Sequence, residues 1–345
     1  MFSFQVKEAQ RFYKTATKLD ETSIIALSGI IACQIMDGQY EVAREQLEFL
    51  KEIQTNGPGG VGTTSQNASN RSEILYMSAI LGRLTNQPVD QVLGLLNEAV
   101  DAHFKCVRGM IFGSDYLTVL NPDFVTDLVK EYLLFAPNEP VQQGQATPQA
   151  LKQVLMILET VTRACPGLRD ALFLVSKARY LSGDIKAAIS TLQHVVDNLD
   201  PTMAEAHLLM AQIQVHQGHF LNAQQSLEVG LSYNFEVRDH PIFHLINAKV
   251  YKDHGDIGEA EKTLKRALEL AKNEFDPKKK TQSTKGSKRI AFSSTDLATI
   301  YLELTECMRL QNKDQESNRI MQEGMSSFQV NLQKYFELFY EKIHS

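Results

Sequence analysis

The residues of this sequence best placed to do chemistry are a glycine-rich run and a set of histidines. Gly57-Pro58-Gly59-Gly60-Val61-Gly62-Thr63-Thr64 has the outer glycines and the closing hydroxyl of a loop that cradles phosphates with its backbone N–H groups. Threonine stands at 63, where such a loop needs an ammonium, and the segment before it reads as helix rather than strand. A flexible loop over 56–70 is the better reading. His240 and His244 are spaced i, i+4, which places two potential metal ligands on one helix face. A zinc site needs two more ligands. His216 and His219 flank Gly218 at a turn, and nothing in the sequence brings them to the first pair. The simpler reading has Asp239 capping a helix started by Pro241, with the histidines as partly exposed turn and packing residues. Nucleophilic catalysis has no better support. There is no G-x-S-x-G elbow, and Cys33, Cys106, Cys165 and Cys307 are far apart with no C-x-x-C pair. The carboxylates are spread over helix surfaces, where i, i+4 partners such as Glu261 and Lys265 predict a solvated face. The expectation is therefore a protein without catalytic, cofactor-binding or metal-binding residues, which works by holding other proteins.

The elements that would position such residues are repeats. A turn dipeptide is followed by alanine at a fixed distance three times: Gly183-Asp184 with Ala188, Gly218-His219 with Ala223, and Gly255-Asp256 with Ala260. The turns are 35 and 37 residues apart. Tetratricopeptide repeats have a period of about 34 residues, each an antiparallel helix pair with small residues where the helices touch. If the turn glycine is position 15, position 8 carries Ser176, Ala211 and Ala248, and position 20 carries the three alanines. Position 24 carries Leu192, Leu227 and Leu264, and position 27 carries Val195, Gly230 and Ala267. No helix of such a pair can bury its apolar stripe alone, so stacking joins the stripes into one core. The fold class predicted is all-α, a tetratricopeptide-repeat superhelical solenoid of antiparallel helix pairs.

The register extends to Gly38-Gln39 with Ala43 and Leu47, to the turn at 86–88 with Tyr76, Leu96 and Ala99, and to Asn312-Lys313 with Ser317, Met321 and Gly324. At the start, Ala9, Tyr13, Ala16 and Asp20 match only the second half of a unit. The organisation expected is a half repeat plus a first full repeat over 1–55, the glycine loop over 56–70, and degenerate repeats over 71–165 with a loop at 137–148. Three clear repeats over 166–275 follow, then a basic loop over 276–290, a further repeat over 291–325 and a C-terminal helix over 326–345. The basic loop, with Lys278, Lys279, Lys280, Lys285, Lys288 and Arg289, reads as a solvated insertion, a contact for an acidic partner or membrane surface, or a nuclear address or nucleic-acid patch. Apolar residues at the N-terminal end, Phe4 and Phe12 among them, predict self-association of the fragment.

A net charge of −6 and a pI near 5.9 give no general reason to expect nucleic acid or an anionic membrane as partner. The first eighteen residues are too polar for a signal peptide or a membrane span, which predicts a cytosolic protein without direct membrane insertion. Protein partners would use the groove lined by the first helices at positions 2, 5, 9 and 12. These are Asp170, Phe173, Lys177 and Tyr180, then Glu205, Leu208 and Gln212, then Leu245, Lys249 and Lys252. An extended or helical segment suits this mixture better than a terminal carboxylate.

The irregular run Gly230-Leu231-Ser232-Tyr233-Asn234-Phe235-Glu236-Val237-Arg238-Asp239-His240-Pro241 resembles the tetratricopeptide repeat protein 21 family. So do Gln46-Leu47-Glu48-Phe49-Leu50-Lys51-Glu52 and Glu131-Tyr132-Leu133-Leu134-Phe135. This family is the large repeat subunit of the intraflagellar transport A complex. The resemblance implies a non-enzymatic scaffold in retrograde ciliary transport and ciliary protein localisation. It implies other subunits of that complex and ciliary cargo as partners, and the cytoplasm, cilium and ciliary base as its place. Without it, the repeats alone suit a generic cytosolic adaptor linked to chaperones or a ubiquitin ligase.

Overall fold

The computed structural model describes residues 2–21, 23–56, 65–137, 139–142, 144–275 and 294–327. Within them the chain is helical, with no strand. The first compact unit, 1–183, holds α1 (Phe2–Leu19), α2 (Ile24–Met36), α3 (Tyr40–Asn56), α4 (Ser65–Leu84), α5 (Val89–Val107), α6 (Ser114–Leu120), α7 (Pro122–Leu133), α8 (Gln149–Ala164) and α9 (Arg169–Leu181). The second, 184–345, holds α10 (Ile185–His194), α11 (Ala204–His216), α12 (Phe220–Tyr233), α13 (Pro241–Asp253), α14 (Ile257–Phe275), α15 (Ser294–Leu310) and α16 (Asp314–Ser327). A π-turn over Val195–Leu199 extends α10, and a 3-10 turn over Phe235–Asp239 joins α12 to α13. The division falls at the turn of the first of the three clear repeats, not between repeats.

Every position-15 turn adopts the left-handed conformation that reverses the chain between two helices. Gly38, Gly183, Gly218 and Gly255 have φ between +75° and +86°, and Asn86 and Asn312 do the same job at +57° and +58°. Asparagine is the non-glycine residue best able to enter this region. The turns close as helix C-caps, with His219 N–H donating to the Gln214 carbonyl at 2.8 Å and Asp256 N–H to Tyr251 at 2.9 Å. Ala43, Ala223 and Ala260 at position 20 are fully buried, as are Leu47, Leu227 and Leu264 at position 24. Each such leucine contributes about 1.5–3 kcal/mol by leaving water.

The core of unit 1 joins α4, α5, α7, α8 and α9 through Leu96, Leu128, Tyr132, Leu151 and Ile157. Tyr76, the expected aromatic of α4, packs edge-on against Phe124 at 5.5 Å. Unit 2 has one cluster around Leu227 and Ile246 and another that joins α13 and α14 to α15 and α16. At the N-terminal end α1 packs on α2, and the Tyr13 ring lies over Gly29, where any Cβ would collide with it. Val6 is buried while Phe12 is 70% exposed.

Some expectations need correction. Helix α3 runs to Asn56 and helix α4 begins at Ser65, so residues 56 and 65–70 of the loop predicted over 56–70 are helical. The phosphate-loop-like run 57–64, the whole of the basic loop 276–290 and residues 328–345 of the expected C-terminal helix lie outside the described residues. Helix α6 was not foreseen.

Candidate partner-binding surface

The ten groove residues fall into two sets, one in each unit. Asp170, Phe173, Lys177 and Tyr180 lie along α9 and are all half-buried. Phe173 and Tyr180 pack against the core of unit 1. Burial, followed by the charge of Glu139, pushes the Tyr180 phenol up to about 12. Glu139 arrives on the segment predicted as a loop over 137–148. That segment is pinned to the end of α9, with Val141 N–H donating to the Leu181 carbonyl at 2.9 Å. Asp170 lies 3.6 Å from Arg169.

In unit 2, Glu205, Leu208 and Gln212 lie on α11, and Leu245, Lys249 and Lys252 on α13. Leu208 and Leu245 are buried in the core, because position 5 meets neighbouring helices, so neither lines an open groove. The two lysines face α15. Lys249 Nζ is 3.3 Å from Glu303, and Lys252 Nζ is 3.0 Å from Glu303 and 2.6 Å from Glu306. Burial opposes the Lys252 ammonium, yet the two carboxylates hold its pKa above the ordinary lysine value. Burial likewise opposes ionised Glu303, and the two lysines hold its pKa below the ordinary value. These cations are already neutralised by the next helix pair. Sequence reasoning missed Glu303 and Glu306, although with Asn312 at position 15 they stand at positions 6 and 9 of α15.

Further ion pairs link the same helix pairs. Glu261 is buried rather than solvated. It accepts from Lys265 at 2.6 Å and from Lys313, 52 residues away, at 2.7 Å. Glu323 of α16 is bound by Lys272 of α14 and by the hydroxyl of buried Tyr301 at 3.2 Å. Unit 1 has a counterpart in Arg83, whose guanidinium donates two hydrogen bonds to Glu131 at 2.9 and 3.2 Å.

We predict that Glu303→Leu destabilises the protein by about 1–2 kcal/mol, because it leaves half-buried Lys249 without this carboxylate and Lys252 with only Glu306. Urea denaturation measures the cost. A double-mutant cycle with Lys252→Met should show coupling between the two positions, and additive losses would contradict the geometry.

The histidines have local partners. His240, not Asp239, is the N-cap of α13: its Nδ1 accepts from Ile242 N–H at 3.2 Å, and the ring is buried rather than partly exposed. His244 Nε2 is bonded to the Arg238 carbonyl at 2.9 Å. No cluster of histidine, cysteine or carboxylate side chains among the described residues is arranged to hold a metal ion. His103 is also buried, with Nε2 bonded to the Leu120 carbonyl at 2.7 Å and Nδ1 making no hydrogen bond among the described residues. Burial lowers the pKa of both His103 and His244, outweighing the carbonyl bonds that raise it.

A folded pKa below the unfolded one means that the unfolded chain binds more protons as pH falls through about 6.5. The contribution of these neutral rings is complete above that pH and declines below it. Glu261, Glu303 and Glu323, whose pKa values are lowered, add a second loss in the carboxylate range. We predict a two-step fall in stability on acidification, with a first step reduced by His103→Gln. Urea midpoints measured between pH 8 and 4 test this, and a flat profile from pH 7 to 5.5 would overturn it.

No helix among the described residues is long and apolar enough to cross a membrane. The model of the tetratricopeptide repeat protein 21 second ARM domain matches residues 1–218, and that of the tetratricopeptide repeat protein 21 ARM repeat matches 235–335. Tetratricopeptide repeat protein 21B of Homo sapiens is 40% identical over 94% of this chain and 24% of its own length. Tetratricopeptide repeat protein 21A of Mus musculus is 38% identical over 94% of this chain and 23% of its own. The chain thus spans about a quarter of the length of these relatives. A solved tetratricopeptide repeat protein from Parabacteroides merdae aligns with a TM-score of 0.56 at 12% identity, over 92% of this chain and 98% of its own, which supports the all-α repeat solenoid fold. The chain belongs to the tetratricopeptide repeat protein 21 family and is a helical-repeat scaffold.

Proposed function

We propose that this chain is a non-enzymatic scaffold segment of the intraflagellar transport A complex, acting in retrograde ciliary transport and in the localisation of ciliary proteins. Its partners are other subunits of that complex and ciliary cargo proteins, in the cytoplasm, at the ciliary base and in the cilium. The observation that carries the reading is 40% identity to tetratricopeptide repeat protein 21B of Homo sapiens over 94% of the chain. Repeat grammar alone recurs in unrelated scaffolds, whereas a run such as 230–241 is not dictated by helix packing. Stacked helix pairs present extended surfaces suited to holding protein segments. Affinity capture of the tagged chain from ciliated cells tests the proposal. Recovery of intraflagellar transport A subunits above the level captured by a scrambled-repeat control is expected, and recovery of chaperones or ubiquitin-ligase subunits instead would overturn it.

A further inference from the structure

Four cations of α1, Lys7, Arg11, Lys14 and Lys18, follow an i, i+4, i+7, i+11 spacing. At about 100° and 1.5 Å per residue they fall within an arc of about 60° and run about 17 Å along the helix. Tyr13, about 130° round from the centre of that arc, is on the side that packs on Gly29 of α2. All four cations are exposed.

None of them forms an ion pair among the described residues. Elsewhere Arg83, Lys249, Lys252 and Lys313 meet carboxylates from another helix. Helix α2, on which α1 packs, has no charged side chain from Ile24 to Met36. Glu8 is the one acid within α1 and lies about 90° round from the stripe, and Asp20 and Glu21 follow the end of the helix. Like charges at i, i+3 and i, i+4 repel and weaken a helix, so this array opposes folding without an internal counter-ion. Beside it, Phe12 is 70% and Leu19 is 88% exposed. Seven residues apart, they form a second row about 120° round from the cations.

The surrounding charge selects the occupant. A flat anionic surface, membrane or nucleic acid, also meets Glu8, Asp20 and Glu21 on a chain of net charge −6. A single helix seated between the Arg11–Lys18 row and the Phe12–Leu19 row crosses only Thr15. A second copy offers acids at the same spacing on α3, but Arg44 lies 3.3 Å from Glu41 and Lys51 2.8 Å from Glu48, which offsets that row.

We propose that the outer face of α1 docks a helix of a partner protein that carries an acidic row and an apolar row. Its carboxylates lie on Arg11, Lys14 and Lys18, with Lys7 at the end of the row, and its apolar side chains on Phe12 and Leu19. This rests on the scaffold reading and gives it a recognition surface in unit 1. Charge sets orientation and selectivity, and the apolar contacts add affinity.

The test is fluorescence anisotropy of the full chain with two labelled peptides of roughly eighteen residues, alike in leucine positions, with glutamate at i, i+4, i+7 and i+11 in one and glutamine there in the other. The glutamate peptide should bind more tightly and weaken as salt is raised, and Arg11→Glu with Lys14→Glu should weaken it at least about tenfold. Phe12→Ser should weaken it without removing the preference for glutamate. Lys152→Glu, an exposed change elsewhere in unit 1, should leave binding unchanged. Circular dichroism checks the fold of each variant, and Arg11→Gln with Lys14→Gln keeps the test intact if the glutamate pair misfolds. Equal affinity for the two peptides, no binding, or indifference to the α1 changes overturns the proposal. So does equal or tighter binding of phosphatidylserine vesicles or of a single-stranded DNA oligonucleotide, and so does a wild-type dimer that Arg11→Glu with Lys14→Glu makes monomeric. Recovery of transport subunits without glutamate-peptide binding sinks the α1 surface and leaves the assembly reading intact, and the reverse sinks only the assembly reading.

Discussion

Replacing Gly183 with alanine is expected to cost about 3 kcal/mol, against about 1 kcal/mol for the same change at Gly218 or Gly255. All three glycines occupy position 15, with φ of +86°, +75° and +83°, so each change forces a side chain into the left-handed region at about 1–2 kcal/mol. What distinguishes Gly183 is its surroundings. A Cβ there would lie 2.8 Å from the Val141 carbonyl oxygen, whereas at Gly218 and Gly255 it would meet nothing within 4 Å. The obstacle is backbone, held by the Val141–Leu181 hydrogen bond, so it cannot swing aside as a side chain tip would. Relief requires the 137–148 segment to leave α9, which exposes Tyr180 and the end of the unit 1 core. Chemical denaturation of the three variants gives the comparison, and proteolysis within 137–148 should be faster only in Gly183→Ala. Equal costs at all three glycines would mean that the segment is not docked on α9.

The fold was legible wherever a single residue type was forced by geometry. Position 15 must enter the left-handed region, so glycine recurs there and asparagine replaces it at 86 and 312. Position 20 must let two backbones approach, so Ala43, Ala223 and Ala260 recur and are buried without exposed surface. Features that depend on the partner of a residue, rather than on its own type, were illegible. His240 and Asp239 are both plausible caps by type, and only the placement of the ring shows that His240 accepts the Ile242 N–H. Helix α6 has seven residues, too short for a helical period to show. The segment around Val141 has the proline and glutamine content of a loop, yet the Val141 N–H ties it to the Leu181 carbonyl.

The partners of the candidate surface were illegible for a related reason. The position rule correctly places Lys249 and Lys252 on one face of α13, but it says nothing of what the next repeat brings to that face. Glu303 and Glu306 are unremarkable helix-surface acids in sequence, and stacking converts them into the counter-ions of those lysines. The converse holds for Arg11, Lys14 and Lys18. They lie on a helix that matches only half a repeat, so a register-based reading passes over them, although they stand exposed without an ion pair among the described residues. In a stacked scaffold, charge that meets a neighbouring helix serves cohesion first, and charge that meets none is freer to carry recognition.

Ala260→Leu should cost about 3 kcal/mol, at the upper end of what overpacking a helix contact produces. Ala260 is fully buried and Ala248, at position 8 of the same repeat, is 2% exposed; both belong to one cluster with Leu264 and Ala267. Three added carbons have no free volume there, so α13 and α14 must move apart or rotate. Movement does not stay local. Lys252 on α13 is fixed to Glu303 and Glu306 on α15, while Glu261 on α14 is fixed to Lys313 at the following turn. Separating α13 from α14 pulls these pairs apart, which adds to the packing cost and loosens α15 and α16. Glu259→Leu, one residue earlier on the exposed side of the same helix, should change stability by no more than about 0.5 kcal/mol. Hydrogen exchange should show faster exchange across α13 to α16 in Ala260→Leu, with α4 to α8 unchanged. Equal losses for Ala260→Leu and Glu259→Leu would show that the repeat register is wrong.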